Sequence, residues 1–232
     1  MNGEYQNLYY GNAGHPLLLE LLEHDRKIIL DVGCGTGDHA ALLGHRDPAP
    51  QVYGVTMFPD EARVAATYLE NVWVCDIEKG FPAELLQRRF DTIIFSHVLQ
   101  HLREPAKTVA QATELLIDGG DLLIAVPNVV SWRQRWKLML RQFQYEQTGI
   151  MDEVRLRFFT FMTADKFLLA QASKLDCLEK RAEGSVPLWI LRRYLFPASL
   201  SAAIDKLGVR LWPNLFGLQV FIKARKRMTS QN

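Results

Sequence analysis

Between Lys27 and Pro127, short and nearly all-apolar runs alternate with stretches of helical pattern. The apolar runs are 27–32, 51–57, 71–75, 90–96 and 121–127, and each predicts a strand. Helices are predicted over about 38–44, 59–69 and 105–116, and a short one over Leu17–Glu23 after Pro16. Asp47-Pro48-Ala49-Pro50, Gly80-Phe81-Pro82 and Gly119-Gly120 read as breaks. Strands that are apolar on both faces and alternate with helices imply a parallel sheet covered on both sides. Ligands of such sheets sit beyond the carboxyl ends of the strands, near the point where strand order reverses. Asp31, Thr56, Asp76 and Ser96 all fall at those ends.

After Pro127 the rhythm changes. Val129–Phe143 carries Trp132, Trp136, Met139, Leu140 and Phe143 at helical spacing, with Arg133, Arg135, Lys137 and Arg141 between them. This amphipathic basic helix admits three readings: a lid packed on the core, a clamp for an anionic substrate, or a membrane-surface patch. A helix capped by Thr163 follows, then a strand over Lys174–Lys180, an apolar stretch over Pro187–Leu211 and a closing strand over 215–225. Residues 1–14 place Tyr5, Tyr9 and Tyr10 among Asn and Gly, as a frayed arm or as one that folds over a ligand.

A chain of 232 residues with 48% hydrophobic and 23% charged residues suits one globular domain with a cap. Its net charge of +1 gives no bulk attraction for nucleic acid. No signal peptide is read, and no apolar run approaches the ~20 residues of a membrane span, so a cytoplasmic protein without stable membrane insertion is expected. Cys34, Cys75 and Cys177 lack ligand or disulfide spacing, and no metal is expected.

The chemistry centres on Lys27–Ala40, KIILDVGCGTGDHA. A strand ends in Asp31 and meets Gly33, Gly35 and Gly37, which permit positive φ and let a ligand approach the backbone. Free N–H groups at the next helix start would face an anionic or polar group. A dinucleotide turn, G-x-G-x-x-G, would need glycine where Asp38 stands.

The succession ILDVGCGTG, VWVCDIE, FDTIIFSHVLQHLREP and LLIDGGDLLIAVPN resembles the motifs of the class I S-adenosylmethionine-dependent methyltransferases. PNVVSW, FQYEQTGIMD and LRFFT are similar to a bacterial subgroup acting on small molecules and sugars. The resemblance implies an α/β fold, Rossmann-like and doubly wound, with a mostly parallel seven-stranded sheet and an inserted helical cap. The core would comprise about 15–128, 160–182 and 213–225, and the cap about 129–159 and 185–212. S-adenosylmethionine is the implied cofactor and S-adenosylhomocysteine its product. Asp31 would lie near the cofactor ammonium, on the Gly33, Cys34, Gly35 and Gly37 turn, with Asp76 and Ile77 at the adenine. Thr56 and Met57 stand where most members have an acid for the ribose, with Asp60 or Glu61 as substitutes, and Ser96 and Tyr10 complete the cofactor set.

His97 is the candidate general base, and Trp132, Tyr145, Arg155 and Arg157 are the candidate substrate residues. The subgroup has His where Arg155 stands, and a guanidinium suits a carboxylate or phosphate better than proton abstraction. The expected reaction is O-methylation of a small acceptor, a sugar, a secondary metabolite or an anionic molecule, by a monomer or homodimer. C- or N-methylation, an NAD-type oxidoreductase and an inert cofactor-binding regulator remain the alternatives.

Overall fold

A computed structural model describes residues 15–142, 155–187 and 196–228 of the chain. Its centre is a seven-stranded sheet made of β1 (Ile28–Val32), β2 (Gln51–Thr56), β3 (Asn71–Val74), β4 (Phe90–Ser96), β5 (Leu116–Pro127), β6 (Leu175–Gly184) and β7 (Gly217–Lys226). The order is β3-β2-β1-β4-β5-β7-β6, and β7 runs antiparallel to both of its neighbours. The chain winds outward from β1 to β3 and then returns to lay β4 on the other side of β1. That reversal puts the switch point over the carboxyl ends of β1 and β4.

Alternate residues of the central strands enter two separate cores. Leu30, Ile93, Phe95, Leu122 and Ile124 pack on one face under α4 (Ala83–Leu86), α5 (Pro105–Thr113) and α7 (Ala164–Leu168). Ile29, Ile94, Leu123 and Ala125 pack on the other, under α1 (Pro16–Leu19), α2 (Asp38–Leu43) and α3 (Pro59–Ala65). Burial on both faces is why these strands read as continuous apolar runs.

At the end of the sheet remote from the switch point, Asp121 is fully buried and gathers three cations. Arg26 reaches it at 2.9 Å, Arg225 at 2.6 Å and Lys223 at 3.4 Å. Glu23 closes the cluster through Lys223 at 2.8 Å and through Arg225. The hydrogen bond from Lys223, helped by Arg225 and opposed by burial, lowers the Glu23 pKa to about 2. A depressed carboxylate stabilises the fold above its unfolded pKa and loses that contribution as protons bind. Stability is therefore expected to fall as pH drops from about 4.5 toward about 2, and Glu23→Gln should flatten that part of an acid-unfolding curve.

Several boundaries differ from the sequence reading. β5 starts at Leu116, and Gly119-Gly120 lies within an irregularity where the β4–β5 register jumps from Phe90↔Leu116 to Thr92↔Asp121. Thr163 precedes α7 without capping it, because its hydroxyl pairs with that of Thr160 at 2.9 Å. The basic helix is α6 (Trp132–Met139), and it docks through Trp132 and the buried Gln134. Trp136, Leu138, Met139 and Leu140 are exposed, so the apolar side does not form the packed lid face that the pattern suggested.

Before the closing strand come α8 (Ala198–Leu211) and α9 (Pro213–Phe216), which leads directly into β7. The buried Asn128, just past β5, donates to the carbonyls of Asn214 at 3.1 Å and Gly217 at 2.7 Å. Trp132 Nε1 donates to the Ser185 carbonyl at 2.7 Å, and Val186 N–H to Asp205 at 2.8 Å. The segments after β5 and before β7 are thus joined around the ends of these two strands. Among the described residues no helix is long and apolar enough to cross a membrane.

Candidate active site

Asp31 is the penultimate residue of β1 and is fully buried between Gly54 of β2 and Ile94 of β4. One carboxylate oxygen meets Nδ1 of His39, on α2, at 3.0 Å. The other oxygen, Oδ1, is buried with no hydrogen-bond partner among the described residues. A buried carboxylate oxygen in that condition needs a donor that the described residues do not supply. Burial works against a charged His39, but the charge and hydrogen bond of Asp31, with Asp38, outweigh it and raise the His39 pKa above 6.5.

The turn after β1 takes φ of +80° at Gly33 and +54° at Gly35, conformations that favour glycine. The N–H groups of Gly33 and Cys34 donate to the Val55 carbonyl at 2.7 and 3.0 Å, so they hold the turn to β2 and do not face a ligand. A Cβ at Gly33 would strike Val98 Cγ2 at 2.1 Å, whereas one at Gly35 would meet nothing within 4 Å. The turn is therefore closed beneath Gly33 and open above Gly35.

At the end of β2, Thr56 is buried and donates to Glu61 Oε2 at 2.6 Å. Glu61, in the first turn of α3, brings a carboxylate to the position that lacks one in the sequence. Asp60 instead pairs with Arg63 at 3.0 Å on the surface. Asp31 and Glu61 both lie near Cys34, and burial followed by these two charges pushes its thiol pKa far up, leaving it unreactive. Met57 is largely exposed at the rim. Asp76 accepts from Glu78 N–H at 3.1 Å and caps the turn Ile77–Lys79, with Lys79 3.4 Å from its second oxygen and Ile77 buried below.

Ser96 ends β4 with its hydroxyl buried and unpartnered among the described residues. His97 follows at φ +55°, fixed by its N–H to the Ala125 carbonyl at 3.0 Å and by Gln100 Nε2 to its own carbonyl at 2.7 Å. Its ring lies 4.6 Å from that of His15, which in turn is 6.3 Å from the His39 ring. Burial, then the charges of His15, Arg155 and His101, against a pull from the Gln219 amide, lower the His97 pKa to about 3. Arg155 is half-buried beside this group. Arg157 is turned away, donating from Nε to the Arg103 carbonyl at 3.0 Å, and its exposed guanidinium braces the loop after β4.

A buried acceptor at Asp31, open space over Gly35 and a carboxylate–hydroxyl pair at Glu61 and Thr56 suit a ligand with an ammonium and vicinal hydroxyls. A family model described as a methyltransferase domain matches residues 6–167. The chain belongs to the class I S-adenosylmethionine-dependent methyltransferases. It is 30% identical over 122 residues to trans-aconitate 2-methyltransferase of Escherichia fergusonii, covering 51% of this chain and 46% of the relative. It is 31% identical over 112 residues to malonyl-[acyl-carrier protein] O-methyltransferase of Anoxybacillus flavithermus, covering 47% and 42%. The chain spans about half the length of the curated relatives it matches. A methyltransferase structure from Archaeoglobus fulgidus shares the fold at a TM-score of 0.58 and 17% identity, over 88% of this chain and 87% of that one.

In this methyltransferase the residues expected from sequence fall into two groups. Asp31, the Gly33–Gly37 turn, Thr56, Asp76, Ile77, Ser96 and His97 all lie at the carboxyl ends of β1 to β4 or just beyond them. Trp132 and Arg157 lie outside that group, since each is engaged in holding the fold. Tyr10 and Tyr145 lie outside the described residues. His15, His39 and Glu61 join the site without having been singled out for it, apart from Glu61 as an alternative acid.

Proposed function

We propose that the protein transfers the methyl group of S-adenosylmethionine to a carboxylate oxygen of a small acceptor, giving a methyl ester. Bound S-adenosylmethionine supplies an electrophilic methyl carried on a sulfonium. Asp31 would hold its ammonium, Gly35 the open floor beneath it, Glu61 with Thr56 its ribose hydroxyls, and Asp76 with Ile77 its adenine. The observation that carries the acceptor assignment is the state of His97 beside Arg155. An imidazole whose pKa lies near 3 is a weak base and is ill-suited to deprotonating a sugar hydroxyl. A carboxylate arrives already ionised and needs orientation and water exclusion instead. Arg155 supplies a cation for it, and a guanidinium binds carboxylates bidentately. The names of the two relatives support the reading, since aconitate and malonyl groups both bear carboxylates.

The test is turnover on a panel of di- and tricarboxylic acids beside sugars and phenols, with product analysis. Formation of base-labile methyl esters is the expected outcome, and base-stable ethers or C-methyl products overturn the reading. Loss of a general base lowers rates by about 10²–10⁴-fold. His97→Gln is expected to lower kcat/KM by less than about tenfold, and Arg155→Met to act mainly through acceptor KM.

A further inference from the structure

His39 stands outside every role assigned so far, yet it is buried at the switch point against Asp31. Its Nδ1 is 3.0 Å from Asp31 Oδ2, both side chains are at least nine-tenths buried, and its Nε2 has no partner among the described residues. The second oxygen of the carboxylate it grips, Oδ1, is buried with no partner among the described residues. Because α2 follows the glycine turn directly, the sequence returns an imidazole to the acid at the other end of the same turn.

We propose that His39 is a positioning residue for the cofactor: it orients Asp31 so that Oδ1 receives the ammonium of the adenosyl amino acid, and it releases its proton when that ammonium binds. The inference rests on the cofactor placement proposed above. Two cations would otherwise share one buried carboxylate, and the imidazolium, the stronger acid of the two, gives its proton to solvent. Among the described residues, the charged and titratable groups that act on His39 are Asp31 on β1, Asp38 on α2 and His15 before α1. Both acids favour imidazolium in the free protein, and the arriving ammonium opposes it. Binding thus lowers the His39 pKa, and by linkage affinity must rise as pH rises through the interval between bound and free values. Asp31 and Asp38 raise the free value above that of an ordinary imidazole, and the rise in affinity ends where the free imidazole loses its proton. Each unit by which binding lowers that pKa is worth about tenfold in affinity.

The measurement is calorimetric titration of the whole protein with S-adenosylhomocysteine between pH 6 and 8.5, in two buffers of different ionisation enthalpy. 5′-Methylthioadenosine, which lacks the amino-acid end, is titrated alongside. Wild type is expected to bind S-adenosylhomocysteine about tenfold more tightly at the upper end and to release a fraction of a proton, with no such trend for the truncated nucleoside. His39→Gln retains a hydrogen-bond donor to Asp31 and should bind with no pH trend and no proton release. His39→Leu frees the carboxylate and should bind more weakly than His39→Gln at every pH. A flat wild-type profile, or the same trend in His39→Gln, overturns the proposal. A flat wild-type profile overturns the proposal without any variant, and His39→Asn takes the place of His39→Gln if the latter misfolds. Absence of S-adenosylhomocysteine binding at any pH overturns the cofactor placement and this inference with it.

Discussion

Gly35→Asn is expected to fold almost as stably as wild type and to bind S-adenosylhomocysteine at least about a hundredfold more weakly, a difference of about 2.7 kcal/mol. Gly35 sits at φ +54°, in the left-handed region that asparagine tolerates better than other side chains, and a Cβ there meets no atom within 4 Å. The added side chain therefore strains little in the free protein and occupies the open space over the turn. At a hundred times Kd, S-adenosylhomocysteine should stabilise wild type by about 2.7 kcal/mol, or roughly 5–10 °C in thermal unfolding. Gly35→Asn should unfold near the wild-type temperature and show no such shift. Gly33→Ala supplies the contrast, since its Cβ would strike Val98 Cγ2 at 2.1 Å and the unfolding temperature itself should drop. A full ligand shift in Gly35→Asn would remove the turn from the cofactor site.

Asp121→Ala is expected to produce the largest loss of stability of any single change away from the site. The carboxylate is fully buried and neutralises Arg26, Arg225 and Lys223, and its removal leaves those cations crowded with Glu23 as their remaining partner in the cluster. Removing one member of a buried ion pair destabilises by about 3–5 kcal/mol. In a chain of this size that corresponds to roughly 6–20 °C in Tm. Because the cluster lies at the opposite end of the sheet from the switch point, S-adenosylhomocysteine affinity in the folded fraction should be unchanged. Arg26→Met alone should be milder, since Asp121 keeps Arg225 at 2.6 Å.

The parallel core was legible because its signals are local. Apolar runs such as FDTIIFS show strands buried on both faces, and three alternating glycines after Asp31 show a turn that a ligand can approach. What escaped the sequence depends on chain closure in space. Glu61 lies five residues past the end of β2, and only the path of α3 returns its carboxylate to Thr56. The signal available was an acid in the first turn after Pro59. His39 is one residue into α2, and its contact with Asp31 requires the whole turn between them. Trp132 looked free to line a substrate because its partner, the Ser185 carbonyl, lies 53 residues away. His97 was found by position at the end of β4, but its weak basicity follows from burial and from neighbours on other elements.

Asn128 carries a consequence for how new specificities could arise on this scaffold. One buried amide fastens the end of β5 to the Asn214 and Gly217 carbonyls, where the second cap piece becomes the antiparallel strand. Its side-chain oxygen also accepts from Val130 N–H at 3.3 Å, at the start of the first cap piece. The helix that follows β5 and the closing edge of the sheet therefore share this clasp. A chimera that imports one cap piece from a relative would leave that clasp mismatched, whereas exchanging both pieces together with the strand between them would move a specificity as one inheritable cassette.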